Sequence, residues 1–496
     1  MRPLRGLRAG WPGLRPAALA MAAGALAALG QEPLGWWPAA VVGFAALIRM
    51  VVQAPRGAGW LMLFGGAGHF AVALNWIVEP FMVEPETYGW MAPFAVLGLA
   101  FGLALFWAGA AALARRFLPG ALGLVIALTL AEMLRGHVLT GFPWALPGHV
   151  WFQTPLLQGA ALLGAYGLTL LTLLAAAGLA SLRWQGAMGA LALVAAGWGW
   201  GLFALSQPDP AAPGVTLRLV QPNAEQRLKW DPDLAATHFD RLLRLSAPGE
   251  TLPDLVIWPE TALPYLLDRH PEIAGMIAAA AGGAPVALGL QRVAGEQAWN
   301  SLTVIAPDGA ETARYDKAHL VPFGEYIPAG DLAYRLFGLR AFASQAGAGY
   351  TAGPGPVALD LGPRLGTVLP LICYEAVFPQ DIRAAVSRPG WLLQITNDAW
   401  FGTWTGPFQH AALARLRAVE FGLPLVRAAN TGVTAVYDAR GRVVAALPFG
   451  TEGALDVALP GALPATPYAR LGEVPLLLLL AGLLGLAIFR RRYSLA

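Results

Sequence analysis

Gly366-Thr367-Val368-Leu369-Pro370-Leu371-Ile372-Cys373-Tyr374-Glu375 is the stretch on which the reading of this chain turns. Val368 to Ile372 are all apolar, too few for a buried helix and continuous rather than alternating. Such a run marks a strand covered on both faces, as in a layered α/β domain. Cys373 ends that strand just before a polar turn, and it is the single cysteine among 496 residues. A disulfide within one molecule is thereby excluded.

Working outward, further apolar runs bounded by Pro, Gly, Asn or Asp lie at 215–220, 255–258, 285–290, 301–305, 391–396, 425–427 and 433–437. Helical stretches at 233–246, 272–281, 381–387 and 410–421 fall between them. The expected fold of residues 207–473 is therefore a layered α/β domain, long enough for a substantial core.

Two other scarce or oddly placed groups share the context of Cys373. The 33 basic residues include only two lysines, Lys229 and Lys317. Lys317 stands in Tyr315-Asp316-Lys317-Ala318-His319, just past a strand-like run, and Glu260 ends the run Leu255-Val256-Ile257-Trp258-Pro259-Glu260. Each has a bland reading: a buried small hydrophobe, an arginine-preferring composition, a surface turn. Their coincidence at the ends of separate strands is the raw material of covalent acyl chemistry, with a thiol, an amine and a carboxylate. No G-x-S-x-G elbow, HExxH, paired-cysteine site or Walker A loop occurs, and the seven histidines are scattered. No metal, no cofactor and no nucleic-acid partner are expected.

With 56% hydrophobic and 13% charged residues, the chain is far more apolar than a soluble protein. The excess is concentrated in 1–206 and again in 474–496. Windows long enough to cross a bilayer fit at 16–31, 36–53, 58–78, 90–113, 119–139, 157–181, 186–206 and 474–490. The expected organisation is seven transmembrane helices in 1–206, an extramembrane domain in 207–473, and a final helix with a basic tail in 474–496. Arg2, Arg5, Arg8, Arg15, Arg49, Arg56, Arg115, Arg116, Arg183 and Arg490 to Arg492 flank alternate loops. The intervening loops at 31–35 and 79–89 carry no Lys or Arg, and the second holds Glu79, Glu84 and Glu86. Only Arg135 falls on the other side. This bias places both termini in the cytoplasm and the inserted domain on the opposite face. A cleaved signal peptide is the rival reading of the first window, and the seven spans that follow favour an uncleaved anchor. Glu132 and Arg135 share a face of the fifth span, and His69 with Asn75 occupies the third. A structural ion pair is favoured there over a proton path.

The motifs themselves are recognisable. Glu260 in Trp258-Pro259-Glu260-Thr261, Lys317 in Tyr315 to Glu325, and Cys373 in Ile372-Cys373-Tyr374-Glu375 resemble the Glu-Lys-Cys triad of the nitrilase superfamily. Asn397-Asp398-Ala399-Trp400-Phe401-Gly402, Gln409-His410 and Arg427-Ala428-Ala429-Asn430-Thr431-Gly432 are patterned like that group. Joined to seven preceding spans and one following, and to Glu132-Met133-Leu134-Arg135 and Thr140-Gly141-Phe142-Pro143-Trp144, the chain resembles the apolipoprotein N-acyltransferase family.

That resemblance implies an αββα sandwich inserted into an α-helical membrane domain of about eight helices. It implies acyl transfer from a membrane phospholipid to the α-amino group of an apolipoprotein's S-diacylglyceryl cysteine, by a ping-pong route through a Cys373 thioester. Chemistry assigns Cys373 as nucleophile, Glu260 as general base, and Lys317 as oxyanion stabiliser with the Tyr374 N–H. Glu325 is expected to position or charge-balance the cluster. Tyr374, Glu375, Trp230, Asn397 and Trp400 match pocket positions of the family, with core packing the rival for the two tryptophans. The stretch 323–350 is expected to form a mobile lid. The resemblance also implies the bacterial inner membrane, a periplasmic catalytic domain and a monomer. The rival functions are a membrane-tethered amidase acting on a small amide, and a non-catalytic membrane scaffold or transporter.

Overall fold

The computed structural model describes residues 11–229, 231–328 and 349–493, with side chains to 489. Its N-terminal part is all helix: α1 (Leu14–Ala28), α2 (Trp37–Gln53), α3 (Ala58–Ala73), α4 (Ala92–Phe117), α5 (Ala121–Arg135), α6 (Ala160–Ala180) and α7 (Trp184–Ser206). Small residues let these helices approach closely. A Cβ on Gly24 of α1 would stand 1.8 Å from the Gly65 carbonyl oxygen of α3.

Helical elements fall in all eight apolar windows, but not all are of spanning length. Pro85–Phe117, Pro155–Ala180 and Trp184–Ser206 are long and apolar enough to cross a membrane. A fourth qualifies if Ala58–Ala73 and Asn75–Met82, bent by 50° at their junction, count as one. Leu14–Ala28, Trp37–Gln53 and Val474–Phe489 are shorter apolar helices. Helix α5, 15 residues long, reaches only about 22 Å at 1.5 Å per residue. It stops at Arg135 because Gly136 follows and Leu139 and Thr140 take left-handed φ of 56° and 76°, where no helix continues.

The rest is built on two six-stranded sheets. The first has the order β12 (Gly453–Ala458), β1 (Thr216–Gln221), β2 (Leu255–Ile257), β3 (Val286–Ala294), β4 (Gln297–Ile305), β5 (Glu311–Asp316). The second runs β11 (Val443–Leu447), β10 (Thr434–Tyr437), β9 (Leu425–Ala429), β8 (Trp391–Thr396), β7 (Thr367–Ile372), β6 (Leu359–Asp360). Strands β1, β2 and β3 are parallel, as are β7, β8 and β9, and the outer pairings are antiparallel. The first and last strands are neighbours, Thr216 opposite Ala458 and Gln221 opposite Gly453.

Side-chain alternation builds four layers. Leu255 and Ile257 of β2 face Val368 and Ile372 of β7 and Leu393 of β8 in the core between the sheets. Val256 points the other way, to α8 (Ala235–Ser246) and α9 (Glu272–Ala280) through Phe239, Leu242 and Ile277. On the far side, Leu369, Leu371 and Leu392 meet α10 (Pro379–Ala384) and α11 (Gly406–Phe421). This is the expected αββα sandwich.

Helix α11 is buried nearly all round because it has neighbours on both sides. Ala414, Ala418 and Phe421 cover the sheet, while Leu413, Leu416 and Val419 join the core of the helical bundle with Tyr374, Val377 and Phe378. Each large apolar side chain buried there contributes roughly 1.5–3 kcal/mol. The sandwich thus sits on the bundle through the layer that carries the cysteine turn. The chain then returns to the bundle as α12 (Val474–Tyr493).

Candidate active site

Three strand ends converge at the mouth of the sandwich. Strand β2 stops because Pro259 follows Trp258, and the turn after it is tight: Thr261 has a left-handed φ of 45°. A Cβ on Gly289 of β3 would lie 2.5 Å from the Pro259 carbonyl oxygen and 2.6 Å from the Glu260 Cα. That glycine is what lets the Glu260 turn fold back over the sheet. Cys373 also takes a left-handed φ, 53°. This is strained for a residue with a Cβ, and it persists only where its surroundings over-determine it. Lys317 follows β5, its backbone N–H donating 2.9 Å to the Asn300 carbonyl.

The charges interlock. The Lys317 ammonium, 1% exposed, donates 2.9 Å to Glu325 Oε1 and lies 3.6 Å from Glu260 Oε1. Asn300 Nδ2 bridges the two carboxylates, at 2.6 Å from Glu260 Oε1 and 3.1 Å from Glu325 Oε1. The Asn397 backbone N–H donates 2.8 Å to Glu260 Oε2, and the Val321 N–H 2.9 Å to Glu325 Oε2. Burial alone would lower the pKa of Lys317, but Glu325, Glu260 and Cys373 hold it above the ordinary lysine value. The Cys373 thiol is pushed the other way, raised by burial and then by the Glu260 charge, with Lys317 and the Thr396 hydroxyl opposing. Its surroundings therefore favour the protonated thiol.

The supporting residues divide by what they touch. Glu375 accepts 2.7 Å from the Tyr315 hydroxyl, 2.8 and 3.1 Å from the N–H groups of Ala318 and His319, and 2.7 Å from the Ile372 N–H. It clamps the cysteine turn to the segment that follows Lys317. The Tyr374 hydroxyl donates 3.3 Å to the Gly141 carbonyl of the helical bundle, and its ring packs on His319 and Phe378. Asn397 Nδ2 donates 2.7 Å to Gln226 Oε1, and its Oδ1 accepts 2.9 Å from Asn430 Nδ2. Trp400 is half-buried on the turn after Asn397. Trp230, and residues 329–348 of the expected lid, lie outside the described residues; Phe323, at its start, is exposed.

Three participants escape the sequence reading. Asn300 is one, although an amide just before the apolar run 301–305 was its signal. Lys229 is another, donating 2.9 Å to the Thr261 hydroxyl and 3.2 Å to the Glu260 carbonyl, with its pKa lowered to about 8 by burial. The third is Gln394 on β8, whose amide donates 3.0 Å to the Cys373 carbonyl. Among the described residues no group of three or more His, Cys, Asp or Glu side chains is arranged to hold a metal ion.

The family model for the apolipoprotein N-acyltransferase N-terminal domain matches residues 23–178, and that for carbon-nitrogen hydrolase matches 216–468. The apolipoprotein N-acyltransferase of Rhodopseudomonas palustris is 38% identical over 97% of this chain and 96% of its own. That of Bradyrhizobium diazoefficiens is 40% identical over the same shares. Among solved structures, an amidase from Nesterenkonia sp. is 21% identical over 55% of this chain and 98% of its own, with a TM-score of 0.38.

Proposed function

The chain belongs to the apolipoprotein N-acyltransferase family, and from that membership we propose that it moves a fatty acyl chain from a membrane phospholipid to the α-amino group of an apolipoprotein's S-diacylglyceryl cysteine. The observation that carries this reading is the charge cluster of Glu260, Lys317 and Glu325, buried against a lone thiol in a sandwich seated on apolar helices. A bilayer-seated site suits two substrates that never leave the bilayer.

In the first half-reaction Glu260 takes the proton of Cys373 as the sulfur attacks the ester carbonyl carbon. Lys317 and the Tyr374 N–H stabilise the oxyanion, where fixed donors in a dry site are worth most. The tetrahedral adduct collapses, the ester C–O bond breaks, and Glu260 returns its proton to the departing lysophospholipid oxygen. In the second half-reaction the neutral amine attacks the thioester and Glu260 takes its proton. The C–S bond then breaks, and the sulfur leaves with that proton. Glu325 and Asn300 keep Lys317 charged and in register. Asn397 presents its N–H to Glu260, Glu375 fixes the turn that carries Cys373, and Trp400 flanks the pocket.

The remaining assignments follow the arginine distribution. Residues 1–206 contribute seven spans and 474–496 one, both termini are cytoplasmic, and the sandwich in 207–473 works on the periplasmic face of the bacterial inner membrane. The enzyme acts as a monomer without a cofactor. Intact-mass analysis of a lipoprotein N-terminus tests the reaction: with the enzyme and phospholipid present, the terminal amine gains one acyl chain. Release of free fatty acid or of a small-amide product, with the amine unmodified, would replace the transferase by the amidase reading.

A further inference from the structure

Four buried side chains behind Cys373 take no part in the chemistry above. Asp398, His410, Arg427 and Gln394 are each fully or almost fully enclosed. Arg427 pairs with the Asp398 carboxylate and donates to Gln394 Oε1. His410 Nδ1 lies 2.9 Å from Asp398 Oδ1, and its Nε2 lies 3.1 Å from Gln394 Nε2. His410 Nε2 also lies 3.1 Å from the Cys373 carbonyl, so the ring and the Gln394 amide meet that oxygen together. Neutral His410 donates from Nδ1 to the carboxylate and accepts at Nε2 from one amide hydrogen of Gln394. The second amide hydrogen then points to the Cys373 carbonyl, 3.0 Å away. Burial and the Arg427 charge lower the pKa of His410, in keeping with the neutral ring.

The far side of His410 belongs to the helical bundle. The Trp144 ring stacks on the imidazole at 5.7 Å and 25°. Its indole N–H donates 2.7 Å to Gln409 Oε1, while Gln409 Nε2 donates 3.0 Å to each of the Glu32 and Ala73 carbonyls. The loop that presents Trp144 is itself pinned: Arg135, paired with Glu132, donates to the Phe142 carbonyl, and the Trp107 indole donates to Glu132. A continuous run of contacts thus joins an ion pair inside α5 to the backbone of the strained cysteine.

We propose that the membrane domain sets the nucleophile's conformation: Trp144, braced by the Glu132–Arg135 pair, seats His410, and His410 orients the Gln394 amide that holds the Cys373 carbonyl. Trp144, His410 and Gln394 are positioning residues, since none of them touches the reacting atoms. Without the amide donor the left-handed turn relaxes, and the sulfur swings away from Glu260 and Lys317. The proposal rests on Cys373 being the nucleophile of the acyl transfer, but its test does not need that reaction.

The test uses the full chain in detergent micelles and the second-order rate of Cys373 alkylation by iodoacetamide, beside thermal unfolding. Trp144→Met fills the volume without a ring face, Trp144→Phe keeps the face, and Gln394→Glu removes the donor at constant shape. Alkylation falls at least tenfold in Trp144→Met and Gln394→Glu and stays within threefold of the parent in Trp144→Phe. Phospholipid-dependent loading of Cys373 falls in step through kcat with KM unchanged. Either Trp144→Met or Gln394→Glu, folded and alkylating within twofold of the parent, overturns the brace. A parent enzyme that never loads an acyl group, while the alkylation pattern holds, would sink the acyltransferase reading and leave the brace standing.

Discussion

Glu260→Gln separates the chemistry of this site from its architecture. Both Glu260 oxygens face donors only: Asn300 Nδ2 and the Lys317 ammonium at Oε1, the Asn397 N–H at Oε2. A glutamine amide must therefore turn its own NH2 towards a donor whichever way it is placed, at a cost of about 1–3 kcal/mol. The attraction to Lys317 across 3.6 Å is about 5 kcal/mol at an effective dielectric constant of about 20, and it is largely offset because no carboxylate is then desolvated. In a domain of this size the net effect is a fall in unfolding temperature of roughly 2–12 °C. Removal of the general base costs the acylation step about 10²- to 10⁴-fold, or about 3–5 kcal/mol of barrier. Alkylation moves the other way. Burial, the Glu260 charge and the Asp398 charge all raise the Cys373 thiol, so removing the Glu260 charge leaves iodoacetamide labelling at pH 8 unchanged or faster. Single-turnover loading from phospholipid, followed by mass spectrometry of the Cys373 peptide, measures the first quantity and labelling measures the second. Loading within tenfold of the parent refutes the base; labelling that falls in parallel refutes the separation.

Glu375→Gln sets an amide against four donors and should cost about 3 kcal/mol, lowering the unfolding temperature by about 6–12 °C; a shift below 2 °C in differential scanning fluorimetry would contradict the clamp. Burial alone would raise the Asp398 carboxyl, but Arg427 and His410 hold it down to about 2 against an ordinary 3.8. The fold therefore favours its ionised form, and this stabilisation, about 2 kcal/mol, is complete above pH 4 and lost as pH falls through 2. Asp398→Asn should cost about 3–5 kcal/mol at pH 7 by stranding Arg427, with the gap to the parent narrowing below pH 3; a gap independent of pH in urea titrations would refute it. A reporter fused after Ala496 should stay in the cytoplasm while one inserted at Gly295 is exported, and both on one side would overturn the eight-span topology.

The sequence revealed the parts of the sandwich that are buried on both faces. Strand β8 falls at 391–396 as its continuous apolar run requires, and β1, β2, β7, β9 and β10 lie within a residue or two of theirs. Strands β5, β6, β11 and β12 are half-exposed and polar or short, so no apolar run marks them. The strand ends carrying Glu260 and Cys373 were legible because those residue types close apolar runs, and Lys317 because lysine is so scarce in this chain. What those ends are fastened to was not. The bonds from Glu375 to residues 57 and 60 positions away, or from Asn397 to Gln226, are set by the meeting of two sheets, which no local pattern encodes. Glu132 and Arg135 read as a self-contained ion pair, and the pairing is present. Its further contact with the Phe142 carbonyl needed the turn at Gly141, with φ of 84°, to be seen in three dimensions.

Strands β1 and β12 lie side by side, so the sandwich begins and ends at one spot on its surface. Ten positions separate Ser206 from Thr216, and sixteen separate Ala458 from Val474. A fold with adjacent ends enters a host chain as a cassette: cut between two helices, splice it in, and neither partner must change topology. The arrangement makes the sandwich a unit that can be handled whole. It also suggests a practical operation, exchange of the entire cassette for a relative's at 206 and 474. Two short straps from one point also act as a hinge with little play, limiting how far the reactive mouth can swing from the helical bundle.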